Sequence, residues 1–385
     1  MKKISTHPKK YLLWLLACIS IQLPLVAKEP GKPHKLPTAT PLRIELIVRP
    51  VNNFTNPSDV VSFFNAAQRA KVTVVHLNIK QDEDDERPSG HVYYASSIAP
   101  VAAGYEKFDV LASAITEAHK RNIKEYAWMP QFHDQAAVKA HPQWQMMSKE
   151  LGRSVPFQGK GRLEYFVNPL HPEVQAYQLS LINEVVKNYD IDGIALDWLR
   201  FDDLNMDTGP YTRQLAQQEL GLDPMNIDFA QPSAERERWN NWRSQKIADY
   251  TRQVRNAVHA QKPHVQLSAY VLPPEFTEVG QNLAMFSDSL DTVMPMAYFE
   301  DWQFPASWVS GRLLSDVSRL KARRTHIKPT LDGSGTTEQN VAIIKSLQKA
   351  YPQIQSIVWF SAFYWQPQGL ERIVRIHQSA AAEGR

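Results

Sequence analysis

The sequence predicts an α/β protein built as a single (β/α)8 TIM barrel, and three observations predict it. Short apolar runs of β type alternate with helical periods from Leu42 onward. There are eight such runs, and repeated strand–helix units imply parallel strands joined by crossover helices. The chain has 385 residues, 43% of them hydrophobic, which is enough apolar material for one large core of this kind. No Gly-x-Gly-x-x-Gly fingerprint follows the first run, so an open dinucleotide-binding sheet has no support.

Residues 1–27 read as an export signal. Lys2, Lys3, Lys9 and Lys10 form a positive start, an apolar segment runs from Tyr11 to Ile21, and Pro24-Leu-Val-Ala27 supplies a small residue at a cleavage point. The apolar segment is short for a membrane span and is followed closely by Pro24, so the expectation is an exported protein, periplasmic or secreted, without a membrane span. The sole cysteine, Cys18, lies inside this segment. Lipid attachment at Cys18 is the lesser alternative, because Leu16 is bulky and the residues after Cys18 stay apolar. A mature chain without thiols has no disulfide and no cysteine metal site. Removing the four lysines of residues 1–27 leaves 39 basic residues against 40 acidic, so no nucleic-acid partner is expected.

Residues 28–41, rich in proline and charge, read as a linker, and the barrel occupies 42–385. Its expected strands are Arg43–Val48, Val72–Ile79, Ile123–Trp128, Gly193–Leu199, Val265–Val271, Thr292–Tyr298, His326–Leu331 and Ile357–Phe363. Helical periods follow at Asp59–Ala70, Phe108–Arg121, Pro172–Tyr189 and Trp239–Ala260. Thr336-Thr-Glu-Gln339 reads as a capping box before a further helix. Two connections are long, Lys80–Lys107 and Arg200–Arg238. Loops after the strands build the functional face of a barrel, and long ones suit a cleft for an extended ligand. The acidic run Asp82-Glu-Asp-Asp-Glu86 in the first is read as a solvated loop and not as a metal site.

Functional side chains in this fold come from the C-terminal ends of strands. In the fourth run, Gly193, Ala195 and Asp197 share one face by the period of two. A carboxyl at the end of an apolar strand is costly unless paired or used, which makes Asp197 the leading catalytic candidate. The bland alternative is a buried acid paired with Arg200. Asp192 has the opposite parity and reads as a turn cap at the start of the strand. Glu300 after the sixth run is the preferred partner carboxyl and Asp332 after the seventh comes next, while Glu125, His76 and Asn78 lie within earlier strands. Trp128, Tyr298 and Trp365 at strand ends, with Trp359, Asn78 and Arg200, are the expected substrate contacts. The histidines show no metal-ligand spacing, no Gly-x-Ser-x-Gly elbow is present, and no cofactor is expected.

Val167-Asn-Pro-Leu-His-Pro-Glu-Val174 and Asp190-Ile-Asp-Gly-Ile-Ala-Leu-Asp-Trp-Leu-Arg-Phe201 resemble the bacterial family-10-like glycosyl hydrolases. Ala127-Trp-Met-Pro130, His141-Pro-Gln-Trp144, Trp242-Arg243, Lys262–Ser268 and Asp291–Tyr298 extend the similarity, which spans about Leu42 to Trp365. The resemblance implies an envelope or secreted glycosidase acting on a polysaccharide, either peptidoglycan glycan strands or an amino-sugar exopolysaccharide. By residue matching it carries over Asp197 and Arg200, whereas Glu300 and Asp332 rest on strand position. Asp202 departs from the family, where proline often follows the aromatic residue. Two other readings stay open: a non-catalytic glycan-binding protein on the same barrel, and, more weakly, a metal-dependent polysaccharide deacetylase.

Overall fold

The computed structural model describes residues 41–82, 88–159, 162–360 and 367–382. The expected signal segment, nearly all of the linker, Cys18, Trp365 and most of the acidic run 82–86 lie outside these residues. The strands are β1 (Arg43–Val48), β2 (Val72–Asn78), β3 (Lys124–Pro130), β4 (Gly193–Asp197), β5 (Gln266–Val271), β6 (Thr292–Pro295), β7 (His326–Ile327), β8 (Thr330–Leu331) and β9 (Ser356–Trp359). They form one parallel sheet in the order β7-β6-β5-β4-β3-β2-β1-β9-β8.

The seventh run is thus two strands. Pro329 has no N–H to give to a ladder and interrupts it. The first half pairs with β6 and the second with β9. The two ends of the sheet order are therefore consecutive pieces of one segment, and that segment draws the curled sheet together. Ala297 N also donates to Thr330 O at 2.8 Å, beyond the last paired residue of β6.

The main helices are α1 (Pro57–Arg69), α2 (Val110–His119), α3 (Pro172–Asn188), α4 (Ala234–Gln261), α5 (Leu314–Leu320), α6 (Thr337–Ala350) and α7 (Pro367–Ala382). The Thr336/Gln339 capping box forms as the sequence suggests, and a second one, Asn56 with Asp59, starts α1. Helix α4 begins five residues earlier than its apolar period, because Ser233 caps it by accepting from Arg236 N. The loop between β3 and α3 holds two small hairpins, Met147–Glu150 with Arg153–Pro156 and Gln158–Gly159 with Arg162–Leu163, which the sequence pattern did not announce.

Alternation along the strands sorts the core into two parts. Ile194 and Leu196 join the large cluster between sheet and helices, whereas Ala195 joins Ile47, Trp128, Tyr270, Met294 and Val358 inside the barrel. Below this apolar layer lies a polar floor. His76 Nε2 donates to Glu45 at 3.0 Å, the Tyr270 hydroxyl donates to His76 Nδ1 at 3.0 Å, and Lys328 pairs with Glu45 at 2.9 Å. Burial would raise the Glu45 carboxyl, yet His76 and Lys328 hold it down at about 2.

Gly193 is small for a reason the sequence does not reveal. A Cβ there would lie 2.7 Å from the Tyr126 ring, so the space above this glycine is filled by an aromatic side chain and is not open pocket. Gly193→Ala is expected to destabilise the chain by about 1–3 kcal/mol through overpacking, read as a lower urea midpoint.

Candidate active site

Strand β4 ends at Asp197, and the next residue turns sharply. Trp198 adopts φ 50°, a left-handed conformation that costs a bulky side chain energy. Packing holds it there. The indole stacks on His133 with centroids 3.8 Å apart, and the Arg200 guanidinium lies 4.1 Å over the same ring. The turn aims the Trp198 N–H back at the preceding side chain, where it donates to Asp197 Oδ1 at 2.7 Å. Trp128 Nε1 donates to Asp197 Oδ2 at 3.0 Å. Asp197 is therefore held from two sides while only 8% exposed.

Burial is the main cause that pushes the Asp197 carboxyl up to about 7. The Trp198 N–H works against it, the charge of Asp82 adds to it, and Arg200 and the Trp128 N–H oppose it. A carboxyl poised near neutrality can give or take a proton at ambient pH.

Arg200 is not a direct partner of Asp197. It pairs with Asp202 at 2.5 Å and donates to Phe201 O at 2.9 Å, so Asp202, where the resemblance led one to expect proline, engages this arginine. Arg200 reaches Asp197 through its field alone, and the alternative of a structural Asp197–Arg200 ion pair fails with that geometry. Asp192 behaves as a strand-start acid, accepting from Glu125 N at 2.9 Å and pairing with His119 at 3.0 Å.

Several expected contacts face elsewhere. Trp359 is 1% exposed and joins the cluster between sheet and helices, and its N–H donates to His377 on α7, so it is a packing residue and not a substrate contact. Trp128 is also 1% exposed, so it serves Asp197 and offers no open ring face. Asn78 is fully buried, with its amide donating to Lys80 O. Glu125 is buried on the outer side of β3, opposite in parity to Trp128. No hydrogen bond reaches its carboxyl among the described residues, and burial, with Asp192 adding, raises it well above the ordinary range.

The remaining acids gather on the loops after β6 and β8. Glu300 is exposed, and a Cβ on Gly335 would come within 3.2 Å of its Oε1. Asp332 is half-buried and accepts from the Ser334 N–H and hydroxyl at 3.1 and 2.7 Å; burial raises its carboxyl and Asp301 adds to the rise. Aromatic rings connect this group to Asp197. Trp302 and Tyr298 stack at 5.5 Å, Tyr298 and Phe360 at 5.6 Å, and Phe360 meets Trp128 edge-on at 6.1 Å.

Two buried charged residues beside Asp197's ring partner were not singled out from the sequence. Asp82, taken there for a solvated loop residue, is fully buried and gripped by Arg49 through two contacts of 2.8 and 3.1 Å. Arg49 follows β1 and lies 4.8 Å over the Trp128 ring. The only available signal was position, each falling just past a strand's C-terminal end. Among the described residues, no three His, Cys, Asp or Glu side chains gather as a metal site, and no helix is long and apolar enough to cross a membrane.

The family model described as glycosyl hydrolase-like 10 matches residues 54–317. The chain belongs to this family. Glycosyl hydrolase YngK of Bacillus subtilis is 23% identical over 221 residues, covering 54% of this chain and 38% of that protein. Glycosyl hydrolase DigH of Escherichia coli O6:H1 is 22% identical over 281 residues, covering 69% and 60%. This chain thus spans 38% and 60% of these relatives' lengths, less than two thirds of either. Among solved structures, the PgaB (BpsB) glycoside hydrolase domain of Bordetella bronchiseptica superposes with a TM-score of 0.70 at 17% identity, covering 88% of this chain and 99% of that one. The catalytic domain of a Paenibacillus polymyxa β-amylase gives 0.56 at 10% identity, covering 88% and 98%. At such identities the likeness shows shared fold alone.

Proposed function

We propose that this chain is an exported glycoside hydrolase that cuts a bacterial polysaccharide, either a peptidoglycan glycan strand or an amino-sugar exopolysaccharide. The observation that carries the reading is Asp197, a strand-end carboxyl kept protonated up to about pH 7 by burial and held by two N–H donors. Glycoside hydrolysis takes one protonated carboxyl to donate to the leaving oxygen and a second, ionised one to attack or to activate water. Asp197 fills the first role. Glu300 is assigned the second, with Asp332 next, since both stand on loops at the same face of the sheet. Membership in the glycosyl hydrolase-like 10 family supports the class of reaction. Export rests on the composition of residues 1–27.

The test is turnover on amino-sugar polymer and on isolated glycan strands across pH. With Asp197 as acid, kcat/KM falls as pH rises through about 7, because the donor loses its proton. A rate that instead rises through that pH would recast Asp197 as the base. Trp128→Phe keeps a ring but removes a donor that favours the ionised form, so its alkaline limb is expected to move to higher pH.

The second reading is glycan binding without chemistry. It is favoured by one observation: Glu300 is exposed and Asp332 is engaged by Ser334, so neither is fixed against Asp197 by a contact. Saturable binding of oligosaccharide with no released product on either polymer would select it.

A further inference from the structure

We propose that the Arg49–Asp82 pair is a positioning unit of the active site, in which Arg49 clamps the ring that holds Asp197 and Asp82 sets the charge that Asp197 experiences. The inference rests on the hydrolase reading for its kinetic consequences, but its central measurement does not need turnover.

The geometry is a relay across the ends of four neighbouring strands. Residues 80–82 continue β2, and backbone bonds between Gln81 and both Gly90 and His91 pin them. This places the Asp82 carboxylate against Arg49, which follows β1 and starts the short helix Pro50–Asn53. Asn53 reaches back to Arg49 O at 2.8 Å, which fixes the backbone beneath the guanidinium. The guanidinium lies over Trp128 of β3 at 4.8 Å and beside Phe360, after β9, at 6.0 Å. Trp128 in turn donates to Asp197 at the end of β4. Each link is buried: Arg49 is 6% exposed, Asp82 0% and Trp128 1%.

A two-pronged arginine–carboxylate contact fixes the guanidinium plane, and a flat cation on an indole face fixes the ring. The indole N–H is then aimed without rotamer freedom, which is what a proton donor held to sub-ångström tolerance needs. Asp82 acts as a charge. Among the groups facing Asp197, it and Tyr270 are acidic, Arg200 is cationic, and the Trp128 and Trp198 N–H groups are neutral donors. Asp82 is the carboxylate among them that pushes Asp197 toward its protonated form. Glu45, His76 and Lys328 lie a layer lower, where His76 bonds the Tyr270 hydroxyl and Glu45, and Lys328 pairs with Glu45.

The experiment measures the titration midpoint of Asp197 in the whole chain. Unfolding free energy is followed against pH for the parent and for Asp197→Asn, and the pH at which their difference changes reports the midpoint directly. The same pair is measured with Asp82→Asn, Arg49→Met and Arg49→Lys. Removing the Asp82 charge is expected to lower the midpoint by about one pH unit. Arg49→Met removes the cation that grips Asp82, leaving Lys80 as the neighbouring positive charge, and is expected to raise it. Arg49→Lys keeps the charge but loses the planar grip on Trp128, so it is expected to move the midpoint slightly upward, in the direction of Trp128→Phe, and to lower kcat about tenfold with KM unchanged. Should Arg49→Met fail to fold, the Asp82→Asn and Arg49→Lys arms still decide.

A midpoint that stays at the parent value in Asp82→Asn, with kcat per folded molecule unchanged in Arg49→Lys, would overturn the proposal and leave the pair as packing. Absence of turnover in the parent chain would instead count against the hydrolase reading, and the midpoint shifts would stand apart from it.

Discussion

Replacing Asp197 by asparagine is expected to reduce glycan turnover by about 10²–10⁴-fold, the usual worth of a positioned proton donor, while making the fold more stable. The two effects share one cause. Asp197 ionises near 3.8 in the unfolded chain and near 7 in the folded one. The folded state therefore holds a proton that the unfolded state has already released. Its stability contribution is fully present below about pH 4 and is lost as pH rises through 7. Above pH 7 the folded chain bears the whole cost of a buried carboxylate, about 4 kcal/mol at the conventional conversion. Asparagine removes that cost and keeps an oxygen to accept one of the two N–H donors. The urea midpoint of Asp197→Asn should therefore exceed that of the parent at pH 8 and approach it at pH 5. A variant that is both inactive and less stable at pH 8 would mean that Asp197 is a structural acid.

Lys80→Met is expected to be the most destabilising single change, by about 3–5 kcal/mol. Lys80 is fully buried, and its ammonium lies 2.9 Å from Asp134 and 3.0 Å from Gln178 Oε1. It also donates to the Pro130, Gln131 and His133 carbonyls at 3.0, 3.1 and 3.4 Å. Methionine matches the stem but leaves Asp134 as an uncompensated buried charge and strips a donor from those carbonyls. Lys80 also ties the loop after β2 to the loop after β3, which carries His133 under Trp198. The check is equilibrium unfolding in urea, where the midpoint should fall with little change in slope. A shift under 1 kcal/mol would show that the protein around Asp134 relaxes or that water enters.

Much of this site was readable from local pattern. The period of two placed Gly193, Ala195 and Asp197 on one face, and the structure puts Ala195 inside the barrel and Asp197 at its rim. What escaped were contacts between residues distant in sequence. Asp82 looked like part of a solvated acidic run because nothing local reports that Arg49, 33 residues earlier, closes over it. Trp359 looked like a rim aromatic because its parity on a short strand was unfixed, and pairing with β1 and β8 turned it toward α7. Arg200 looked like a partner of Asp197 because they are close in the chain, but a left-handed turn at Trp198 swung it onto Asp202.

The sequence by itself determined the alternation of strands and helices, the inward stripe of β4, the capping of α6 and the place of Asp197 at the end of that strand. These depend on residues within a few positions of each other, where backbone geometry fixes which side chains share a face. Only the tertiary structure decided that Pro329 divides the seventh run, that Tyr126 fills the space above Gly193, and that burial pushes the Asp197 carboxyl up to about 7. Those outcomes depend on burial and on charges brought in from other strands, and both are properties of the assembled barrel that no local run of residues encodes.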